Sequence, residues 1–341
     1  MLDNIENLYE ALPVSGRAST LRCKLNLSLI ESLNYLLNAC DEVIPSPLFL
    51  KASETLNSLN PRLKFSGFLS VLHSDLLTAI EEENIKQINV IAEKLSLNNF
   101  TINNIEYINI GNLDDYYETV IKNLICHEIP VRVAASSVSS LEYERMKAAC
   151  EEGLSIIERV CPDYFEEISC LFSEILVFKA DEIKHGSSMN AFGLIYRNLN
   201  YGFEKITDTI DVFIHELAHH YLFLLNTDDQ IVVNADDLHA SPLRTDKRPL
   251  IGIYHAAFVL ARVIDVLQKA LDRGGIPTNE INHCLELLAT HRKRFKMAMN
   301  MLDTHAQLTP LGRALINSAS RIVEESYAAS CRGAVMPRAV R

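Results

Sequence analysis

The sequence lacks a CxxC pair and lacks an excess of positive charge. Because its eight cysteines include no CxxC pair, they indicate reduced and mostly buried side chains of a cytoplasmic protein. The formal net charge is −12, which argues against a nucleic-acid binder that is held mainly by phosphate contacts. We therefore expect no nucleic-acid partner.

The sequence also lacks the segments that direct a chain into or across a membrane. The start, MLDNIEN, is acidic and has no basic stretch followed by an apolar run, as a secretory signal would have. We find no apolar run of about 18 residues, the length that a spanning helix needs. The composition, with 48% hydrophobic and 22% charged residues, is that of a soluble globular protein of one or two domains. We therefore expect a cytoplasmic protein without a membrane partner.

Hydrophobic periodicity predicts a mainly helical chain. Residues 1 to about 100 carry apolar residues at helical spacing, interrupted by Pro-Ser-Pro at 45–47, and contain no catalytic constellation. Four later helices are predicted, at 140–160, 253–271, 279–301 and 311–329. Alternating polar and apolar residues predict four strands, at 104–110, 130–135, 174–180 and 189–198.

The most informative motif is HELAH at 215–219, an HExxH sequence within an amphipathic segment. His215 and His219 are four residues apart, so on a helix they share one face and can bind one metal ion, with Glu216 beside it. A separate apolar stripe faces the core and consists of Ile210, Phe213, Ile214, Leu217, Tyr221 and Leu224. His220 is rotated by about 100° from His219, so we do not expect it to bind the metal.

A site with two histidines requires a third ligand, which the motif does not supply. The peptidase extension HExxHxxGxxH is absent, because Leu222 and Leu225 occupy the positions of its glycine and its last histidine. The candidates are two histidines and two carboxylates: His255, His239, Asp236 and Asp237. His255 lies near the start of the next predicted helix, and the spacing alone leaves the choice open.

These patterns predict an α+β protein that is mainly helical, with a small mixed sheet next to the HExxH helix. A sheet also borders the HExxH helix in zincin-type metalloproteins, which is an analogy at the level of the fold. We expect a helical N-terminal region over 1–100 that serves as a scaffold or recognises substrate. A metal domain over 101–330 and a loose tail over 331–341 would follow it.

Three segments together resemble the HExxH-domain family of peptide-modification proteins. They are HELAHH at 215–220, SPLRTDKRPL at 241–250 and GIYHAAFVLAR at 252–262. Proteins of that family accompany ribosomally made, post-translationally modified peptides (RiPPs). The resemblance covers roughly residues 175–325, including LTPLGR at 308–313, and does not extend to the first 170 residues. The family often has glycine where this chain has Ala256.

The resemblance implies an Fe(II)- and 2-oxoglutarate-dependent dioxygenase that hydroxylates the β-carbon of a side chain in a precursor peptide. The implied iron ligands are His215, His219 and His255. Three protein ligands on a six-coordinate iron leave three open positions for 2-oxoglutarate and O₂, as in the facial sites of non-haem oxygenases. Glu216 would then orient a ligand or an iron-bound water instead of acting as a base.

The distal carboxylate of 2-oxoglutarate needs a cation, and arginine binds a carboxylate through two parallel hydrogen bonds. Arg244 and Arg248 lie between the two metal-binding segments and are the candidates. Arg262, two helical turns beyond His255, is a third option. Pairing of either loop arginine, Arg244 or Arg248, with Asp246 or Asp237 is the structural alternative to a role in binding the cofactor.

Two other functions stay open at the level of sequence. In a zinc metallopeptidase, Glu216 would act as the general base on a zinc-bound water. That reading explains HExxH but leaves the SPLRTDKRPL segment unexplained. In an inactive peptide-binding module the metal ligands would not be needed, so their presence counts against it.

Overall fold

The computed structural model describes residues 10–127, 135–181, 184–227, 230–240 and 246–333. The fold is α+β and mainly helical with a small mixed sheet, as the sequence predicted. The chain forms two compact units made of interleaved segments. Unit 1 comprises Met1–Arg17, Ala148–Ile168 and Phe203–Arg341, and unit 2 comprises Ala18–Lys147 and Ser169–Gly202.

The helices of the described ranges are α1 (Arg17–Val43), α2 (Pro47–Ser58), α3 (Gly67–Glu81), α4 (Ile85–Leu97), α5 (Asp115–His127), α6 (Ser140–Val160), α7 (Pro162–Leu171), α8 (Ile206–Asn226), α9 (Leu250–Asp272), α10 (Ile281–His305) and α11 (Pro310–Gly333). The strands are β1 (Lys64–Phe65), β2 (Thr101–Ile102), β3 (Glu106–Asn109), β4 (Glu174–Phe178), β5 (His185–Ser187), β6 (Leu194–Asn198), β7 (Leu238–Ala240) and β8 (Lys247–Pro249). The last helix continues to Gly333, so it includes the first residues that we assigned to a tail.

Unit 2 contains a four-stranded sheet in the order β3-β4-β6-β5. Strands β3, β4 and β6 are parallel, and β5 is antiparallel to β6. Every residue of β4 and β6 is buried, as expected of central strands that are covered on both faces. Helices α2, α3 and α4 form a second apolar core with α1 in the same unit.

Three of the four predicted strands correspond to β3, β4 and β6. The fourth, at 130–135, lies largely outside the described residues. The stretch at 189–198 begins with a 3-10 turn, Met189–Ala191, and becomes a strand only after Gly193, whose φ of 96° favours glycine. Strand β5 and helices α5 and α7 were not predicted.

Unit 1 is built around α9, which packs against α8, α10 and α11. This helix is long and apolar enough to cross a membrane by length and composition, which corrects our expectation that no stretch reaches that length. Most of its apolar window is nevertheless buried inside the protein. Such burial is what a core helix shows, because an all-round apolar helix must be covered by its neighbours.

The first turn of α8 is capped by a residue from a distant part of unit 1. Lys205, at the cap position, offers no side-chain hydrogen bond. The carboxylate of Glu280 instead accepts hydrogen bonds from the backbone N–H groups of Ile206 (3.1 Å) and Thr207 (2.9 Å) and from the Thr207 hydroxyl (2.7 Å). Glu280 thereby provides hydrogen-bond acceptors for backbone N–H groups that have no partner within the helix that carries HExxH.

The LTPLGR segment closes unit 1 behind α8. Thr309 N–H donates to the carbonyl oxygen of Ile231, 3.2 Å away, just after α8 ends. A Cβ on Gly312 would lie 2.1 Å from the same oxygen, so only glycine fits there. The carbonyl oxygen of Gly312 also accepts a hydrogen bond of 2.8 Å from the Tyr254 hydroxyl of α9. These contacts hold the starts of α9 and α11 together.

Candidate metal centre

Helices α8 and α9 bring three histidine side chains together. The ring centroids of His215 and His219 are 5.0 Å apart, and those of His219 and His255 are 5.7 Å apart. Both histidines of the motif lie on one face of α8, as the four-residue spacing predicted. The packing of Tyr221 against Phe258, with ring centroids 6.2 Å apart, holds α8 and α9 in register next to them.

The distance between two of the donor atoms is compatible with a shared metal ion. The Nε2 atoms of His215 and His219 are 3.3 Å apart. Two nitrogens that each lie about 2.1 Å from one metal, at octahedral to tetrahedral angles, are separated by about 3.0–3.4 Å. In the part of the chain that the structure describes, however, no three His, Cys, Asp or Glu side chains yet form a group that could hold a metal ion.

The third ring nitrogen is buried without a partner. Nε2 of His255 has no hydrogen bond to any described residue. An unsatisfied buried polar atom costs free energy of order 1–3 kcal/mol, so native proteins rarely keep one without a function. A metal ion bound to this nitrogen would satisfy it. The three imidazoles therefore suit a metal by their chemistry, while the described side chains do not form a closed group of three ligands.

The histidines are held in the form that binds metals. Burial lowers the pKa of His219 well below its ordinary value, and the neighbouring His215 lowers it further. Burial also lowers the pKa of His255 to about 4. Both imidazoles are consequently neutral near pH 7, and a neutral ring nitrogen can donate its lone pair to a metal.

His220 and Glu216 occupy the buried side of α8. Nδ1–H of His220 donates to the backbone oxygen of Glu216, 2.9 Å away, and the ring has no exposed surface. The backbone of its own helix therefore holds the His220 ring. Glu216 itself is 1% exposed. Because Glu216 is buried, its carboxylate can contact only groups inside the protein.

Phe223 is a site residue that sequence reasoning missed. Its ring centroid lies 6.2 Å from that of His219, nearly parallel to it, and 6.3 Å from that of His255. It follows His219 by four residues, so the helical period that grouped the two histidines also extends to it. Phe223 forms an apolar wall beside two of the three candidate ligands.

A second missed feature is a pair of His–Asp contacts between α8 and α10. His283 Nε2–H donates to Asp208 (2.6 Å), and His291 Nε2–H donates to Asp211 (2.8 Å). Asp211 lies one turn before His215 on the same face of α8. No local signal could have revealed these contacts, because the partners are 75 and 80 residues apart.

The structure describes some, but not all, of the arginines that were predicted as candidates to bind 2-oxoglutarate. Arg244 lies outside the described residues. Nε of Arg248 lies 3.1 Å from a carboxylate oxygen of Asp246, and both side chains are partly exposed. Arg262 is fully buried in an ion pair with Glu167, so the core uses at least one of its donors.

The alternative third ligands lie elsewhere in unit 1. The ring of His239 stacks on that of His305, with centroids 4.2 Å apart. Asp236 and Asp237 are exposed, and Asp237 accepts a hydrogen bond of 2.8 Å from Asn234. Of the four candidates, only His255 has a ring contact with the motif.

With the geometry described, comparisons with known proteins add no assignment. No protein-family model matches the chain, and no curated protein matches it.

Proposed function

We propose that the protein is an Fe(II)- and 2-oxoglutarate-dependent dioxygenase that hydroxylates the β-carbon of a side chain in a precursor peptide. The observation that supports it is the approach of His255, on the helix after SPLRTDKRPL, to the two histidines of HELAHH. The order of these segments is the one on which the family resemblance rests. The convergence of the three rings is what such a site requires.

His215, His219 and His255 would hold the metal. Bound iron supplies oxidation of a C–H bond by O₂, coupled to decarboxylation of 2-oxoglutarate to succinate. Because imidazole also suits zinc and other divalent ions, the ligand set alone does not select iron. Phe223 would exclude water from one side of the site.

Arg248 is the described residue best suited to receive the distal carboxylate of 2-oxoglutarate. It precedes α9, the helix of His255, by two residues. Its partner Asp246 is more than half exposed, and a surface ion pair of this kind contributes about 0–1 kcal/mol. The cofactor could therefore replace Asp246 at little cost. Arg244 remains the other proposed cation.

Glu216 separates this proposal from a zinc metallopeptidase. A peptidase needs its carboxylate as the base that activates a metal-bound water. In the proposed dioxygenase Glu216 is a positioning residue that acts through its buried neighbours. Glu216→Gln should therefore abolish peptide cleavage in the first case and only weaken turnover in the second.

The test is to load the protein with Fe(II) without oxygen, then add 2-oxoglutarate, O₂ and a candidate precursor peptide. We expect stoichiometric succinate and a peptide heavier by one oxygen atom. The same reaction with Glu216→Gln should keep measurable succinate formation, and His215→Ala should remove it. Cleavage of the peptide by the zinc-loaded protein without succinate would contradict the proposal. Peptide binding without either reaction would support an inactive module instead.

A further inference from the structure

Helix α8 carries a row of polar residues at intervals of four, from Asp211 through His215 to His219. Residues four apart on a helix lie one above the other, with about 5–6 Å between their Cβ atoms. Helical side chains also point back towards the N-terminus and cover the preceding turn. His215 and His219 show this arrangement, since their Nε2 atoms are 3.3 Å apart. The same repeat places the His215 ring over the turn that begins at Asp211.

Asp211 is held in place by His291 of α10. His291 Nε2–H donates to a carboxylate oxygen of Asp211, 2.8 Å away, and the two side chains are 9% and 18% exposed respectively. A carboxylate has two oxygens and about four lone pairs, so it can accept hydrogen bonds from two imidazole rings. Helix α10 also packs against α9, the helix of His255. His291 therefore fixes Asp211 from a helix that contacts the one carrying the third candidate ligand.

The two nitrogens of the His215 ring have different tasks in the proposed site. Nε2 faces Nε2 of His219 at a distance that is compatible with a shared metal ion. A ring that binds a metal through Nε2 is neutral and carries its proton on Nδ1. A metal-bound imidazole usually donates this N–H to a carboxylate, a carbonyl or a water, which fixes the ring and strengthens it as a ligand. Asp211 is the carboxylate that the helical repeat brings to this ring.

We infer that Asp211 is a positioning residue of the metal centre, which accepts the Nδ1–H group of His215 and is itself fixed by His291. The inference rests on the proposed function, because it concerns a residue that orients a metal ligand. Asp211 contacts neither the metal nor the substrate. It orients the His215 ring and thereby raises the affinity of the site for a divalent cation by about 10–100-fold.

A second His–Asp contact between the same two helices provides the matched control. His283 Nε2–H donates to Asp208, 2.6 Å away, and the two side chains are 24% and 28% exposed respectively. Asp208 lies about 10 Å from His215 along the helix axis, which is too far for a hydrogen bond to that ring. A purely structural role predicts the same consequences for Asp208→Ala and Asp211→Ala, whereas a positioning role separates them.

Titration of the metal-free full chain with Co(II), a divalent ion that imidazole binds, tests the inference. We expect the wild type to bind about one Co(II) per chain, Asp208→Ala to bind it equally tightly, and Asp211→Ala to bind it about 10–100-fold more weakly. The visible absorption bands of bound Co(II) should shift in Asp211→Ala and stay in place in Asp208→Ala. Urea unfolding of the metal-free proteins should show similar losses of stability in both variants.

His291 should act on the metal only through Asp211. His291→Ala should weaken Co(II) binding by less than Asp211→Ala does, and it should have no further effect in the Asp211→Ala background. His283→Ala is the control and should leave Co(II) binding unchanged. Full additivity of the His291 and Asp211 variants would overturn the inferred role of His291.

Asp211→Asn keeps the test decisive if the alanine variant does not fold. Asparagine preserves the shape and an acceptor oxygen but removes the charge, and a hydrogen bond to a charged acceptor is about twice as strong as one to a neutral acceptor. We expect Asp211→Asn to bind Co(II) about threefold or more weakly than the wild type. Wild-type affinity in this variant would overturn the inference and leave the metal centre intact. A wild type that binds no Co(II) would overturn both.

Discussion

His255 is the residue that turns a two-histidine motif into a candidate metal site. Its ring lies beside His219, while the rival ligand His239 stacks on His305. Spacing alone did not choose between the two histidines, because it does not tell which of two later segments folds back onto α8; the family resemblance implied His255. The choice between them depends on the packing of α9 against α8, which is a tertiary contact.

The first prediction concerns these two histidines. We expect the wild-type protein, loaded with Fe(II) without oxygen and desalted, to retain about one iron per chain by elemental analysis. His255→Ala should lower metal affinity by about 100-fold or more, since loss of a ligand exceeds the 10–100-fold cost of losing a group that only supports one. His239→Ala is the control and should retain the iron. Loss of iron by the control alone would assign the third ligand to His239.

A second prediction at the scale of one residue concerns Glu174 in unit 2. Its pKa is raised from 4.5 to about 7, mainly by burial. A raised pKa contributes stability that is complete below the unfolded pKa, and that contribution is lost as pH rises through the folded pKa. Between pH 4.5 and pH 8 the free energy of unfolding should fall by up to about 3 kcal/mol from this group.

Glu174→Gln removes that titration and can still accept the hydrogen bond from Gly67. We expect this variant to match the wild type near pH 4.5 and to be more stable at pH 8, by up to about 3 kcal/mol. Urea unfolding at several pH values, followed by circular dichroism, measures the difference. Glu54→Gln, on the exposed face of α2, should leave the pH dependence unchanged. Equal pH slopes for Glu174→Gln and the wild type would show that Glu174 titrates normally.

At the scale of the element, α8 depends on a cap from outside its own sequence. Burial raises the pKa of Glu280, but the hydrogen bonds from Thr207 and Ile206 outweigh it, so the pKa is lowered overall. A lowered pKa gives stability that is present above the unfolded pKa, about 4.5, and is lost as pH falls. The stabilising effect of this cap should therefore weaken in acid.

We expect Glu280→Ala to reduce the free energy of unfolding at pH 7 by about 2 kcal/mol, the upper range for loss of a helix cap. The deficit relative to wild type should shrink below pH 4.5. Urea unfolding at pH 7 and pH 4 measures both values. Glu286→Ala, exposed on α10, is the matched control and should change stability little. A deficit that is the same at both pH values would mean that the carboxylate charge does not contribute.

The elements that were predicted well have strong local signals. Helix α8 was predicted because its apolar stripe repeats over the whole segment, and Pro47 marks the start of α2 as the Pro-Ser-Pro interruption suggested. Strand β5 has three residues, of which two are Gly186 and Ser187, so it carries no alternation to detect. Contacts such as His291 with Asp211 depend on the docking of α10, which periodicity does not encode.

At the scale of the whole molecule, the two compact units do not follow the chain in order. Unit 1 joins a short N-terminal piece, the segment Ala148–Ile168 and the C-terminal half. Local patterns assign residues to helices or strands, but they contain no information on which distant segments pack together. The middle segment is held to the C-terminal part by a buried pair, Glu167 of α7 with Arg262 of α9.

The last prediction tests that pair. Arg262 is 0% exposed, Glu167 is 4% exposed, and the guanidinium also lies over the ring of Tyr164, 5.0 Å from its centroid. Arg262→Met should lower the free energy of unfolding by about 3–5 kcal/mol, because Glu167 is left buried without a counter-charge. The double variant Arg262→Met with Glu167→Leu should recover part of this loss, since an apolar pair of similar volume avoids the desolvation of both ions. Arg294→Met, exposed on α10, is the control for the change of residue type. A double variant as unstable as the sum of its two single variants would show that the two side chains act independently in joining the segments of unit 1.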